Sequence, residues 1–89
     1  MQTKIDILIP IYNCKEKLKI TLDSLTQQNT YNRFNVIIID NNSDEDYTEL
    51  LKNYFYDIQF FKNTSNVGRI GNWNKCLNYA NNKWSMFLF

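Results

Sequence analysis

Val36-Ile37-Ile38-Ile39-Asp40-Asn41-Asn42-Ser43-Asp44 is the stretch from which the rest of the chain is read. Four β-branched residues run straight into an acid, two amides, a hydroxyl and a second acid. Continuous rather than alternating apolar character marks a strand buried on both faces, as in a parallel sheet covered by helices. The polar half carries a helix start. Ser43 or Asp44 can act as N-cap, with Asp46 near the free N–H groups of the first turn. In open parallel sheets, ligands sit just outside the carboxyl ends of the strands. Asp40 is therefore the first residue to question about function.

Working outward, Lys4–Tyr12 reads as a first strand, with Ile5, Ile7, Leu8, Ile9 and Ile11 as its body. Pro10 cannot donate to a ladder, so it is expected at the strand's exit, stiffening the turn into Tyr12-Asn13. Cys14, Leu18, Leu22 and Leu25 then fall on one face of a helix reaching about Gln28, with Lys15, Lys17, Lys19 and Asp23 facing solvent. The polar stretch from Asn29 to Asn35 ends it, and Asn35–Asp40 is the second strand. Downstream, Tyr47, Leu50, Leu51, Tyr54 and Phe55 recur at helical spacing and predict a second helix from about Glu45 to Phe55. Ile58–Phe61 reads as a short third strand and Asn63–Gly68 as a loop. A third helix is expected to bury Ile70, Trp73, Leu77 and Ala80, broken by Asn81-Asn82-Lys83, and Trp84–Phe89 reads as a fourth strand. The order βαβαβαβ predicts a three-layer, Rossmann-like parallel sheet with right-handed crossovers. An apolar strand running to Phe89 predicts an incomplete domain, truncated after the fourth strand.

Composition narrows the classes. A chain of 89 residues buries roughly 60–65% of its unfolded surface, and an aromatic content of 16% supports a real core. The net charge of +1, with no basic stripe, argues against a nucleic-acid partner. Cys14 and Cys76 are far apart and no histidine is present, so neither a metal set nor a redox pair is suggested. Two free thiols in a reducing compartment is the simpler reading. The N-terminus lacks the apolar run of a signal peptide, and no run approaches the ~20 residues of a membrane span. The expected setting is cytoplasmic.

Three polar loops follow the first three strands: Tyr12-Asn13, Asp40–Asp44 and Asn63–Gly71. Topology puts them on one edge of the sheet. The first of these turns, Pro10-Ile11-Tyr12-Asn13-Cys14-Lys15, has no glycine. A dinucleotide fingerprint and a P-loop both need glycines so that backbone N–H groups can approach phosphate. The acids of a phosphoacceptor domain are missing too, and no nucleophilic triad is possible without histidine. What remains is nucleotide binding by another device. An acid ending the second strand accepts from a base N–H or a ribose hydroxyl, while the first βα turn supplies backbone groups and a ring edge.

Five stretches together carry a resemblance: Pro10-Ile11-Tyr12-Asn13, Ser24-Leu25-x-x-Gln28, Ile39-Asp40-Asn41-Asn42-Ser43-Asp44, Asn66-x-Gly68, and Asn72-Trp73-Asn74-Lys75-Cys76-Leu77-x-x-Ala80. In order and spacing they resemble the first part of a family 2 inverting glycosyltransferase of the GT-A fold, over essentially the whole chain. The resemblance implies that residues 1–89 are the N-terminal nucleotide-sugar-binding part of a transferase domain. It implies transfer of a sugar from a nucleotide-diphosphate donor to a hydroxyl of a saccharide or lipid-linked acceptor, in surface polysaccharide or lipopolysaccharide biosynthesis. It places Pro10, Ile11, Tyr12, Asn13 and Asp40 on the nucleoside, with Asn66, Gly68 and Asn74 shaping the other side of the pocket and Asn42 a further nucleotide-sugar-binding residue. This chain has Trp73 where many relatives carry an arginine. The family's metal-binding Asp-x-Asp follows the fourth strand, and its general base comes later still. The divalent cation (Mg²⁺ or Mn²⁺) expected in a full-length enzyme, at the inner face of the membrane, would thus have no ligands here, and no catalytic residue is assigned. The alternatives are a catalytically inactive nucleotide-binding remnant or regulatory module, and a purely structural α/β protein.

Overall fold

A computed structural model of the chain describes residues 5–27, 34–54, 57–80 and 84–88. Four parallel strands are present: β1 (Ile5–Ile11), β2 (Phe34–Asp40), β3 (Ile58–Lys62) and β4 (Trp84–Phe87). Three helices connect them: α1 (Lys15–Thr26), α2 (Thr48–Leu51) and α3 (Gly68–Tyr79). The sheet order is β3-β2-β1-β4. Ile5 pairs with both Phe34 and Trp84, so β1 is flanked on each side. The predicted fold class holds. Lys4, Gln28, Asn29–Asn32, Phe55, Asn81–Lys83 and Phe89, which the sequence reading used to end or extend elements, lie outside the described residues.

The β2 run behaves as its composition demands. Val36, Ile37, Ile38 and Ile39 are all fully buried. Alternation along the strands separates two cores. Ile7, Ile9 and Ile11 join Val36 and Ile38 beneath α1 and α2, where Leu18, Leu22, Leu25, Tyr47 and Leu50 close over them. Leu8, Ile37 and Ile39 face the other way, under Cys76 of α3. Right-handed crossovers explain the sides. The connections β1→β2 and β2→β3 step in one direction, whereas β3→β4 steps back across the sheet, so α3 lands on the opposite face. The order reverses beside β1, the topological switch point at which open sheets hold ligands.

Three expectations need correction. Pro10 is not at the strand's exit but within β1, in register with Ile39. Leu8 gives its carbonyl to Leu88 on the β4 side, while Ile11 gives its own to Asn41 on the β2 side. Pro10, in phase with Leu8, turns its donorless nitrogen toward β4, beyond the last registered pair, Leu8↔Phe87.

The second helix is shorter than Glu45–Phe55. It is confined to Thr48–Leu51. Ser43 does not cap it, because its backbone N–H and its hydroxyl both donate to Asp40. Asp46 holds the entry instead, its Oδ1 accepting from the N–H and hydroxyl of Thr48 at 2.9 and 2.7 Å. Tyr47 and Leu50 are buried as the helical spacing predicted, with Leu51 and Tyr54 packed against them.

The third helix is rotated relative to its predicted face. Ile70 and Leu77 are 68% and 50% exposed, and the buried residues are Asn72 and Cys76. Trp73 and Ala80 of the predicted face are half-buried. The amide of Asn72 donates to the Ile39 carbonyl at 3.0 Å, so a polar contact joins the apolar packing of Cys76 on Ile37 and Ile39 in docking this helix on β2.

Candidate functional site

At the carboxyl end of the sheet, β1 and β2 finish side by side, with Ile11 opposite Asp40. Their loops are tied by a chain of donors that ends on one carboxylate. The Cys14 N–H donates to the Tyr47 hydroxyl, which donates to Ser43 Oγ, both at 3.3 Å. Asn13 N–H donates to the same oxygen at 2.7 Å. The Ser43 hydroxyl, its lone pairs thus filled, donates to Asp40 Oδ1, and Ser43 N–H joins it at 3.2 Å. Asn13 Oδ1 also accepts from Asp44 N–H at 3.0 Å. Asp40 is only 1% exposed. Its Oδ1 takes two donors, whereas Oδ2 is buried with no partner among the described residues. Burial of the Tyr47 phenol pushes its pKa up, against the Ser43 and Cys14 hydrogen bonds that pull it down. Burial likewise raises the Cys14 thiol, with the charges of Glu45 and Asp40 adding to the effect.

A second network joins β2 to α3. Asn41 is buried directly after Asp40. Its Oδ1 accepts from Asn63 Nδ2 at 3.0 Å and from Val67 N–H at 2.9 Å. Its Nδ2 donates to Asn66 Oδ1 at 2.9 Å. Asn63 donates onward to Asn72, and Asn72 to Ile39. Asn66 Oδ1 also accepts from Gly68 N–H at 2.8 Å. Four amides therefore hold the β3–α3 loop against the end of β2. Gly68, at φ +81°, occupies backbone that disfavours any side chain.

Between these two networks lies an open cleft of about 750 Å³. Pro10, Ile11 and Tyr12 form one wall, with the Tyr12 ring half exposed. Asn66 and Gly68 stand opposite, joined by Asn41, Arg69, Asn72 and Trp73. Of the nine residues expected at the site, the cleft wall thus contains Pro10, Ile11, Tyr12, Asn66 and Gly68. Asp40 lies buried next in sequence to the wall residue Asn41, and Asn13 is spent on joining the two loops. Asn42, at φ 68°, and Asn74 are exposed and stand outside the wall. Asn41, Arg69, Asn72 and Trp73 were not selected from sequence. The signal available for three of them was α3 periodicity, since positions 69, 72, 73 and 76 share a face. Among the described residues no three His, Cys, Asp or Glu side chains gather as a metal-ligand set. The divalent cation implied by the resemblance does not fit these residues, and no step is routed through it. No described helix is long and apolar enough to cross a membrane.

Comparison with known proteins identifies the family and the fold. A sequence model of glycosyl transferase family 2 matches residues 6–88. An uncharacterized glycosyltransferase of Mycoplasma genitalium is 34% identical over 78 residues, covering 83% of this chain and 24% of its own length. Another, from Haemophilus influenzae, is 32% identical over 84 residues, covering 94% and 28%. Among solved structures, residues 1–349 of S. aureus TarS in complex with UDP-GlcNAc superpose with a TM-score of 0.76 at 21% identity, covering 96% of this chain and 26% of that one. The mannosyltransferase PcManGT from Pyrobaculum calidifontis, in complex with GDP-Man and Mn²⁺, gives 0.78 at 16% identity, covering 93% and 26%. At such identities the structural likeness establishes the fold, that of the GT-A glycosyltransferases. The chain spans about a quarter of the length of the relatives it matches.

Proposed function

This chain belongs to glycosyl transferase family 2, and we propose that it holds the nucleoside end of a nucleotide-diphosphate sugar. It does so as the N-terminal part of an enzyme that passes the sugar, with inversion, to an acceptor hydroxyl of a saccharide or lipid-linked chain. Surface polysaccharide or lipopolysaccharide assembly on the cytoplasmic side of a membrane is the proposed setting. One observation carries the reading. The turn Pro10-Ile11-Tyr12 and the loop Asn66–Gly68 converge on a single cleft also lined by Asn41, and the residue before it, Asp40, is buried behind that wall with an Oδ2 that has no partner among the described residues. An unpaired buried carboxylate oxygen costs upward of about 1–3 kcal/mol, and a ligand N–H or hydroxyl would relieve that cost.

The chain's own residues divide the work. The half-exposed Tyr12 ring offers a face for a planar base. Pro10 and Ile11 give the base an apolar floor. Asp40, braced through Oδ1 by Ser43, keeps Oδ2 for a donor on the base or ribose. The amide network fixes the opposite wall, so the pocket is formed before the ligand arrives. No group here is assigned to activate the acceptor or to carry the leaving diphosphate.

Calorimetric titration of uridine 5′-diphosphate and guanosine 5′-diphosphate tests the assignment. At least one is expected to bind the wild-type chain, with affinity falling about tenfold or more in Asp40→Asn and in Tyr12→Ala. Tyr12 is a surface residue whose loss leaves the core intact, so it separates binding from folding. Equal affinity of wild type and Tyr12→Ala for both nucleotides, or no binding to the folded wild type, would overturn the site.

A further inference from the structure

Among the described residues, Arg69 is the only charged one in the cleft wall; the others are apolar, aromatic, amide or glycine. It is exposed, and among the described residues it has no ion-pair partner. It sits four residues before Trp73 on α3, so the guanidinium and the indole line the same cleft one helical turn apart. Beside it the cleft is open, since a Cβ built on Gly68 meets nothing within 4 Å.

Two main-chain donors at the start of α3 are already engaged. The N–H of Val67 is taken by Asn41 Oδ1 and that of Gly68 by Asn66 Oδ1, at 2.9 and 2.8 Å. With these two donors engaged, Arg69 supplies the full positive charge that an anion entering here meets in the cleft wall. Guanidinium suits that task, being permanently charged and shaped to grip two phosphate oxygens at once.

Building on the nucleotide reading above, we propose that Arg69 makes this cleft select the charged form of its ligand, by engaging the phosphate oxygens of a nucleoside diphosphate. The nucleoside itself is held by the Tyr12 and Asp40 side, so the two halves of the ligand are recognised by different residues. Removing Arg69 then weakens the diphosphate and leaves the nucleoside almost untouched.

The test compares uridine with UDP, and guanosine with GDP, on the 89-residue chain, as wild type, Arg69→Gln and Arg69→Lys, with far-UV circular dichroism as the folding control. In the wild type the diphosphate is expected to bind at least tenfold more tightly than its nucleoside. Arg69→Gln is expected to reduce that ratio by about tenfold while nucleoside affinity stays within about twofold, a size set by charge-assisted hydrogen bonds. Arg69→Lys recovers part of the ratio, and raising salt to 0.5 M erodes it in the wild type. An equal loss of nucleoside and diphosphate in Arg69→Gln would overturn the proposal by making Arg69 a base or sugar contact. An unchanged ratio would overturn it as well. Failure of the folded wild type to bind either form would instead remove the nucleotide reading, and this proposal with it.

Discussion

Asn13, Asn42 and Gly68 all occupy left-handed backbone, at φ 46°, 68° and 81°, in the loops that follow β1, β2 and β3. Asparagine tolerates that region through local hydrogen bonding and glycine through lack of a Cβ. The two glycines of the chain make a clean contrast. Gly68→Ala introduces no contact within 4 Å, so its cost is the backbone penalty alone, about 1–2 kcal/mol. Gly71 lies inside α3, where alanine is favoured by about 0.8–1 kcal/mol. Its added Cβ would come 3.1 Å from Val67 Cγ2 and 3.2 Å from Val67 Cβ, and Val67 sits at the exposed start of the helix, where a backbone shift of a few tenths of an ångström relieves both. Urea unfolding is expected to show Gly68→Ala less stable than wild type and Gly71→Ala equal or more stable; the reverse ranking would contradict this account. At this scale the sequence was legible where residue chemistry is self-contained, as in the Val36–Ile39 run and the Tyr12 turn. It was not legible for Asn41 and Asn72. An amide's role is set by what faces it, and in an asparagine-rich chain each one also looks like loop material.

Element α3 shows how a polar contact overrides a hydrophobic pattern. Its spacing favoured Ile70, Trp73, Leu77 and Ala80, but Asn72 and Cys76 are the buried pair. The reason lies outside the helix. Asn63 Nδ2 and the Ile39 carbonyl are buried groups that need partners, and Asn72 serves both. Satisfying them turns the helix away from the face that maximises apolar burial. Asn72→Ala is therefore expected to cost about 1–3 kcal/mol, because it leaves one N–H of the Asn63 amide without its acceptor and strips the Ile39 carbonyl of its side-chain donor. Leu77→Gln is expected to change stability by no more than about 0.5 kcal/mol, as for other surface substitutions. Had the predicted face been the docked one, Leu77 would carry the larger cost, so denaturant midpoints of the two variants decide between the arrangements. The shortening of α2 has a similar origin. Residues that a capping pattern assigns to the helix start are engaged with Asp40 and the β1 turn. The strands were read more nearly, each within one or two residues among those described, since their burial depends on runs of residues rather than on the phase of a face.

For the molecule as a whole, the topology was legible and the charge balance of its interior was not. Burial pushes the Cys76 thiol up to about 11 from an ordinary 9.0, and burial also raises Cys14 and Tyr47. A folded-state pKa above the unfolded value means that the stabilisation is complete below about pH 9 and is lost as pH rises toward 11. For Cys76 this is worth roughly 2–3 kcal/mol at most. Thermal midpoints measured under reducing conditions are expected to fall between pH 9 and 11, and to fall less in Cys76→Ala. A midpoint flat across that window, or equally steep in the variant, would contradict the burial argument. The flanking of β1 on both sides has a temporal consequence too. Ile5 meets Phe34 on one edge and Trp84 on the other, so the strand made first is completed by the strand made last among those described. At about 5–20 residues per second of synthesis, β1 spends some seconds on the ribosome with one hydrogen-bonding edge open. Its apolar residues must wait for β4, a route on which nascent chains are exposed to mispairing until that strand arrives.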